Sequence, residues 1–105
     1  MIHAQFEKIH NRFCAVRIHG HAEFADAGQD IVCSAVSSAV QYATLLITEI
    51  FHEKDEESAE GNFISVRLCT PEKGHSAGVL EGLCQHLQLI SEDYPNTIEI
   101  IVTEV

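Results

Sequence analysis

A histidine and a cysteine twelve positions apart are the residues of this chain best suited to chemistry. His21 follows Gly20 at the end of a predicted strand, and Cys33 opens a predicted helix. A thiolate is a polarisable nucleophile, and an imidazole can take the thiol proton and later return it to a leaving amine. The pair is therefore what nucleophilic hydrolysis of an amide requires. Placement adds to the types. Asp30 is a candidate N-cap, its carboxylate accepting a backbone N–H two or three residues on, which puts Cys33 in the first helical turn. Unpaired amides and the positive end of the helix dipole favour an anion there, lower a thiol pKa and offer an oxyanion hole. The plain alternative makes Cys33, on the flank of an apolar stripe, a small packing residue, His21 a loop histidine and Asp30 a cap only. A zinc site is the other chemistry, with His19 and His21 joined by Cys33 or Asp30. Two close histidines in a chain with seven are thin support, and no C-x-x-C or H-E-x-x-H motif strengthens them. Cys14, Cys69 and Cys84 have no partner histidine in a comparable position and read as structural. His3, His10, His52, His75 and His86 read as solvent-facing.

The elements that must position this pair follow from hydrophobic periodicity. Ile2, Ala4 and Phe6 alternate with His3, Gln5 and Glu7. After a turn at His10-Asn11, Cys14, Val16 and Ile18 alternate with Phe13, Ala15, Arg17 and His19. These are two strands of a hairpin. Residues 20–30 have no period, contain two glycines and read as a loop of the length that carries function in compact domains. From Ile31 to about Phe51, Val32, Val36, Ala39, Val40, Ala43, Leu46, Ile47 and Ile50 gather on one side of a helix, with Ser34, Ser37, Ser38, Gln41, Thr44 and Thr48 opposite. The stretch Ile31 to Thr48 is uncharged, but its segregated polar arc and marginal length favour a buried helix over a membrane span. His52 to Gly61 reads as a solvated acidic loop. Ile64, Val66 and Leu68 mark a third strand, Ser76 to Glu92 a second helix, and Ile98, Ile100 and Val102 a last strand. The expected fold is α+β, of order ββαβαβ: a two-layer sandwich with one four-stranded sheet and both helices on one face.

Composition bounds the function. One domain spanning 1–105 accommodates the length, and 46% hydrophobic with 21% charged residues is a globular balance. The formal net charge of −10 argues against nucleic acid or an anionic membrane as partner and suits a basic protein or peptide. No basic n-region and apolar run open the chain, so a secretory leader is not expected. Four well-separated cysteines are then read as free thiols of a cytoplasmic protein rather than two disulfides.

Gly20-His21-Ala22, then Ala25, Gly28 and the run Asp30-Ile31-Val32-Cys33-Ser34-Ala35-Val36-Ser37 together resemble the signature of the ribosomal-processing cysteine proteases, the Prp family. The size, the leading hairpin, the acidic loop and Glu92-Asp93-Tyr94-Pro95 before the last strand extend the resemblance over essentially the whole chain. It implies a bacterial cytoplasmic endopeptidase, without cofactor or metal, that acts during ribosome maturation. Such an enzyme trims the N-terminal extension of large-subunit ribosomal protein number twenty-seven, cutting just after an aromatic pair. It further implies a homodimer and a mobile loop between the catalytic groups. Carried over by position, His21 is the general base and Cys33 the nucleophile. Gly20 is a hinge beside the base, Gly28 gives the loop freedom, and Asp30 and Ser37 are supporting positions. The residue after the cysteine is often Ala in the family and here is Ser34, also small. An aromatic-binding pocket near Cys33 is expected, with Phe24, Phe63 or Tyr42 as contributors. The competing function is a non-catalytic ribosome-associated binding protein.

Overall fold

A computed structural model of the chain describes residues 1–20 and 26–105, and side chains for 1–20 and 31–105. Strands β1 (Ile2–Ile9) and β2 (Arg12–Gly20) form an antiparallel hairpin. Its turn takes His10 and Asn11 at φ 50° and 64°, the paired left-handed geometry of a two-residue hairpin loop. Helix α1 (Asp26–Leu45) runs on into a π-helical turn at Leu46–Ile50, and His52, at φ 54°, ends it. Strands β3 (Asp55–Glu60) and β4 (Phe63–Leu68) form a second hairpin, followed by α2 (Ser76–Asp93) and β5 (Ile98–Glu104). The sheet is mixed and five-stranded, in the order β3-β4-β2-β1-β5, with only the β1–β5 pair parallel.

One core joins the layers. Ile2, Ala4 and Phe6 of β1, Val16 and Ile18 of β2, Val66 and Leu68 of β4 and Ile98 of β5 bury the same face of the sheet. Val32, Val36, Val40, Ala43 and Ile47 from the first helical stretch, and Leu80, Leu83, Leu87 and Ile90 from α2, close over it. The 3.6-residue stripes read in the sequence are thus the stripes buried. Among the described residues, Phe6, Ile47, Leu80 and Leu87 are the largest side chains fully removed from water, each worth roughly 1.5–3 kcal/mol of burial. Among the described residues, the opposite face of the sheet carries no helix. There Glu7 meets Arg67 at 3.1 Å and Arg17 at 3.8 Å, and His3 stacks on His19 while its Nδ1 lies 2.8 Å from Glu99.

Four expectations are corrected. The sheet has five strands rather than four, and the order is ββαββαβ, because the acidic stretch expected as a loop is the edge strand β3. Carboxylates along an exposed edge are how sheets avoid pairing with other chains, so the charge conceals the strand without preventing it. The first helix begins at Asp26, not at Ile31, so Gly28 and Asp30 are helical. Cys14 does not alternate with Val16. A bulge opposite Glu7 and Lys8 inserts it into β2, turns Phe13 towards Phe6 and the core, and leaves Cys14 beside Glu7. His3 is half-buried and paired rather than simply solvent-facing.

Candidate active site

Gly20, which precedes His21 in the sequence, ends β2 at φ 100°, and a Cβ placed there would stand 2.5 Å from the Met1 carbonyl oxygen. Both the backbone conformation and the close approach require glycine at this point. That is a stronger reason for Gly20 than the hinge role expected of it. His21 itself and Phe24 lie outside the described residues, and so does the side chain of Asp30.

Cys33 is half-buried and packs against the edge of the core. It stands eight residues into α1, which corrects the expected first-turn placement, and Asp30, within the helix, is not its N-cap. The macrodipole acts within the first turn and the unpaired amides belong to the first four residues. The sulfur therefore sits beyond the helix end that was expected to supply both its charge stabilisation and an oxyanion hole.

At 100° per residue, Ser37, Val40 and Thr44 continue the side of α1 that carries Cys33. Ser37 is exposed and sits one turn along from the sulfur. This flank forms one wall of a groove of about 380 Å³, whose other wall is β3 and β4. Ser37, Gln41 and Thr44 face Glu57, Ser58 and Ala59 across a floor of Val40, Ile64 and Val66. The opposite flank of the same helix lines a larger groove, about 880 Å³, against α2. Ala35, Ala39, Tyr42 and Leu46 meet Val79, Gly82 and Leu83 there. The larger cavity is thus turned away from the sulfur. Tyr42 lines that distant groove, and Phe63 pairs with His19 at the helix-free face. Neither flanks Cys33, which removes two of the three aromatics expected to shape a pocket there. The same geometry disposes of the zinc reading that used His19: its ring lies on the helix-free face, stacked on His3, while Cys33 lies on the helix side.

The remaining thiols differ from Cys33. Cys14 and Cys84 are buried, and burial raises both thiol pKa values, with Glu7 and Glu81 adding to the effect. They stay protonated and inert, as structural cysteines do. Cys69 is exposed, so the packing role expected of it does not apply. Two groups escaped the sequence reading. Glu57 on the groove wall was lost in the acidic loop, although Asp55, Glu57 and Ala59 alternate with Glu56, Ser58 and Glu60. Glu53 accepts hydrogen bonds from the His75 and Ser76 amides and the Ser76 hydroxyl, capping α2 from outside the helix. No local spacing signals a cap more than twenty residues away.

The fold is a two-layer α+β domain in which the half-buried Cys33 stands one helical turn before Ser37, a residue lining the smaller groove. Residues 1–99 match the family model described as "Cysteine protease Prp". The chain belongs to this Prp family of cysteine proteases. It is 27% identical over 107 residues to the ribosomal processing cysteine protease Prp of Bacillus subtilis (strain 168), covering 95% of this chain and 96% of that one. Its fold is that of the ribosomal processing protease Prp from S. aureus. That protein in complex with a covalently linked product peptide gives a TM-score of 0.88 at 22% identity, over 97% of this chain and 99% of the other. With a substrate peptide it gives 0.86 at 21% identity and the same coverage. SMU.848 from Streptococcus mutans gives 0.79 at 19% identity, over 100% and 96% of the two chains.

Proposed function

We propose that this cysteine protease is a cytoplasmic endopeptidase that removes the N-terminal extension of large-subunit ribosomal protein number twenty-seven, cutting after an aromatic pair. Cys33 is the nucleophile and His21 the general base. The single observation that carries the assignment of Cys33 is its position: a half-buried thiol on the one flank of α1 that opens, through Ser37, into a groove bounded by an edge strand. Of the other described thiols, two are buried and protonated and the third, Cys69, follows β4 and is not on α1.

The reaction runs in two halves. The imidazole of His21 takes the Cys33 proton, the sulfur adds to the scissile carbonyl carbon, and the tetrahedral adduct collapses as the imidazolium gives its proton to the leaving amine nitrogen. The thioester so formed is hydrolysed by a water that the same imidazole deprotonates, which restores the thiol. Gly20 fixes the chain entering His21, Ser37 lines the path of the peptide, and Asp30 and Gly28 serve the helical start of α1. No cofactor or metal enters the scheme.

The net charge of −10 supports a basic ribosomal precursor as substrate, since opposite charge speeds encounter. A homodimer is part of the same reading. Its support is the apolar groove on the far side of α1, where Tyr42 is 65% exposed and Phe51 borders the rim. The test is incubation of the precursor protein with the enzyme, followed by intact mass. A single cleavage releasing the extension is expected from the unmodified chain and none from Cys33→Ala. Stoichiometric binding without cleavage would instead establish the ribosome-associated binding protein.

A further inference from the structure

The groove beside Cys33 has a chemical character that endopeptidase activity alone does not demand. Its floor is apolar: Val40 and Val66 are buried and Ile64 half-buried. Its rim is uncharged and small, Ser37, Gln41, Thr44, Ser58 and Ser65, with one exception. Glu57 is the only ionisable group in the lining, and none of the lining residues is cationic. Among the described residues Glu57 has no ion-pair partner, whereas Glu7 and Glu99 on the other face of the sheet are engaged. Asp55, two residues back on the same side of β3, shares a hydrogen bond with Glu57, and its Oδ2 is buried without a partner of its own among the described residues. Negative charge is therefore concentrated on the β3 wall of an otherwise neutral groove, with no cation beside it among the described residues.

Helix geometry sets the distance from the chemistry. Ser37 and Thr44 are four and eleven residues beyond Cys33, so the groove extends from about 6 to about 16 Å along the helix from the sulfur. An extended peptide advances about 3.3 Å per residue, so this span corresponds to roughly two to five residues. Resting on the peptidase reading above, we infer that this groove is a substrate subsite for a lysine or arginine side chain roughly two to five residues from the scissile bond, with Glu57 as its counter-charge. The aliphatic stem lies over Val40, Ile64 and Val66 and the charged head reaches Glu57, which is how long basic side chains divide between apolar and polar surroundings. An acidic side chain at that place is repelled, so the site selects as well as binds.

The experiment uses the uncleaving Cys33→Ala protein and measures peptide affinity by calorimetry. The probes are acetylated, amidated twelve-residue peptides with two central phenylalanines on an alanine-serine background, carrying one lysine moved through five positions on either side. At one position the lysine peptide is expected to bind about 10-fold more tightly than its glutamine counterpart, with a preference that shrinks as salt is raised. Adding Glu57→Gln, at an exposed position, brings the two peptides within about 2-fold of each other. Equal binding of lysine and glutamine peptides at every position, no binding of any peptide, or a lysine preference that survives Glu57→Gln would overturn the inference. Failure of the peptidase reading is seen separately, as precursor left uncut by the unmodified enzyme.

Discussion

The two flanks of α1 are built to opposite rules. Against α2 the helix offers Ala35, Ala39, Ala43 and Leu46 to Val79, Gly82 and Leu83, and the start of α2 is held by a carboxylate whose hydrogen bonds are satisfied. Against β3 it offers serine, glutamine and threonine to an edge strand on which Asp55 keeps one buried carboxylate oxygen without a partner among the described residues. The first side has the composition of a contact surface and gains stability from it. The second gives up stability and carries Cys33, the proposed nucleophile. Sites held ready for a ligand are where a fold tolerates unpaired polar groups, and stability and function trade against each other there.

Substitution on either side of the helix breaks this contrast most strongly. Cys33→Ala and His21→Ala are each expected to lower kcat/KM on the precursor at least about 10⁴-fold. Tyr42→Ala, on the other flank, leaves it within about 3-fold. A comparable loss from Tyr42→Ala would merge the two flanks into one functional surface.

A smaller effect is expected at the α2 end. Removing the carboxylate by Glu53→Ala leaves two amides and the buried Ser76 hydroxyl without their acceptor, at a cost of about 1–2 kcal/mol in chemical denaturation. The Ser76 hydroxyl first, then the His75 amide, hold Glu53 below its ordinary 4.5. A lowered carboxylate contributes stability that is present above its unfolded value and lost as pH falls through the folded one. The cost of Glu53→Ala should therefore fade below about pH 4.5, as followed by denaturation midpoints in acid.

The β3 side should respond with the opposite sign. Burial first, and then a hydrogen bond and the charge of Glu57, push Asp55 from 3.8 up to about 6. A raised carboxylate contributes stability that is present below its unfolded value and lost as pH rises through the folded one. At pH 7 this group therefore weakens the fold. Asp55→Asn is expected to stabilise by about 1 kcal/mol there, solvent screening allowed for, and to lose the advantage towards pH 4. Destabilisation by Asp55→Asn at pH 7 would show that the edge strand is not under the tension described.

How much of this was legible in the sequence depends on what each residue's signal competed with. The hairpin at His10-Asn11, β4, β5 and α2 have periods that burial enforces, and the structure places them where those periods put them. The strand β3 was not legible because Asp55 to Glu60 has the composition of a solvated loop, and only pairing with β4 makes it a strand. The start of α1 was misplaced because Gly28 and Asp30 are weak helix formers locally but lie within a helix of twenty residues. The bulge at Cys14 shifts one residue and so reverses the side it takes. For the site, the type and flank of Cys33 were readable. The partner wall of its groove was not, since it depends on a strand that local composition hides.

The central claim is that Cys33, assisted by His21, is the one thiol here that attacks a peptide. It is tested most directly with a phenylalanyl-phenylalanine chloromethyl ketone, with tryptic mass mapping of the labelled sulfur. One equivalent on Cys33 is expected at pH 7, slowed about 100-fold in His21→Ala, with exposed Cys69 left unmodified over the same time. Equal labelling of Cys33 and Cys69, or a rate on Cys33 unchanged by His21→Ala, would contradict it.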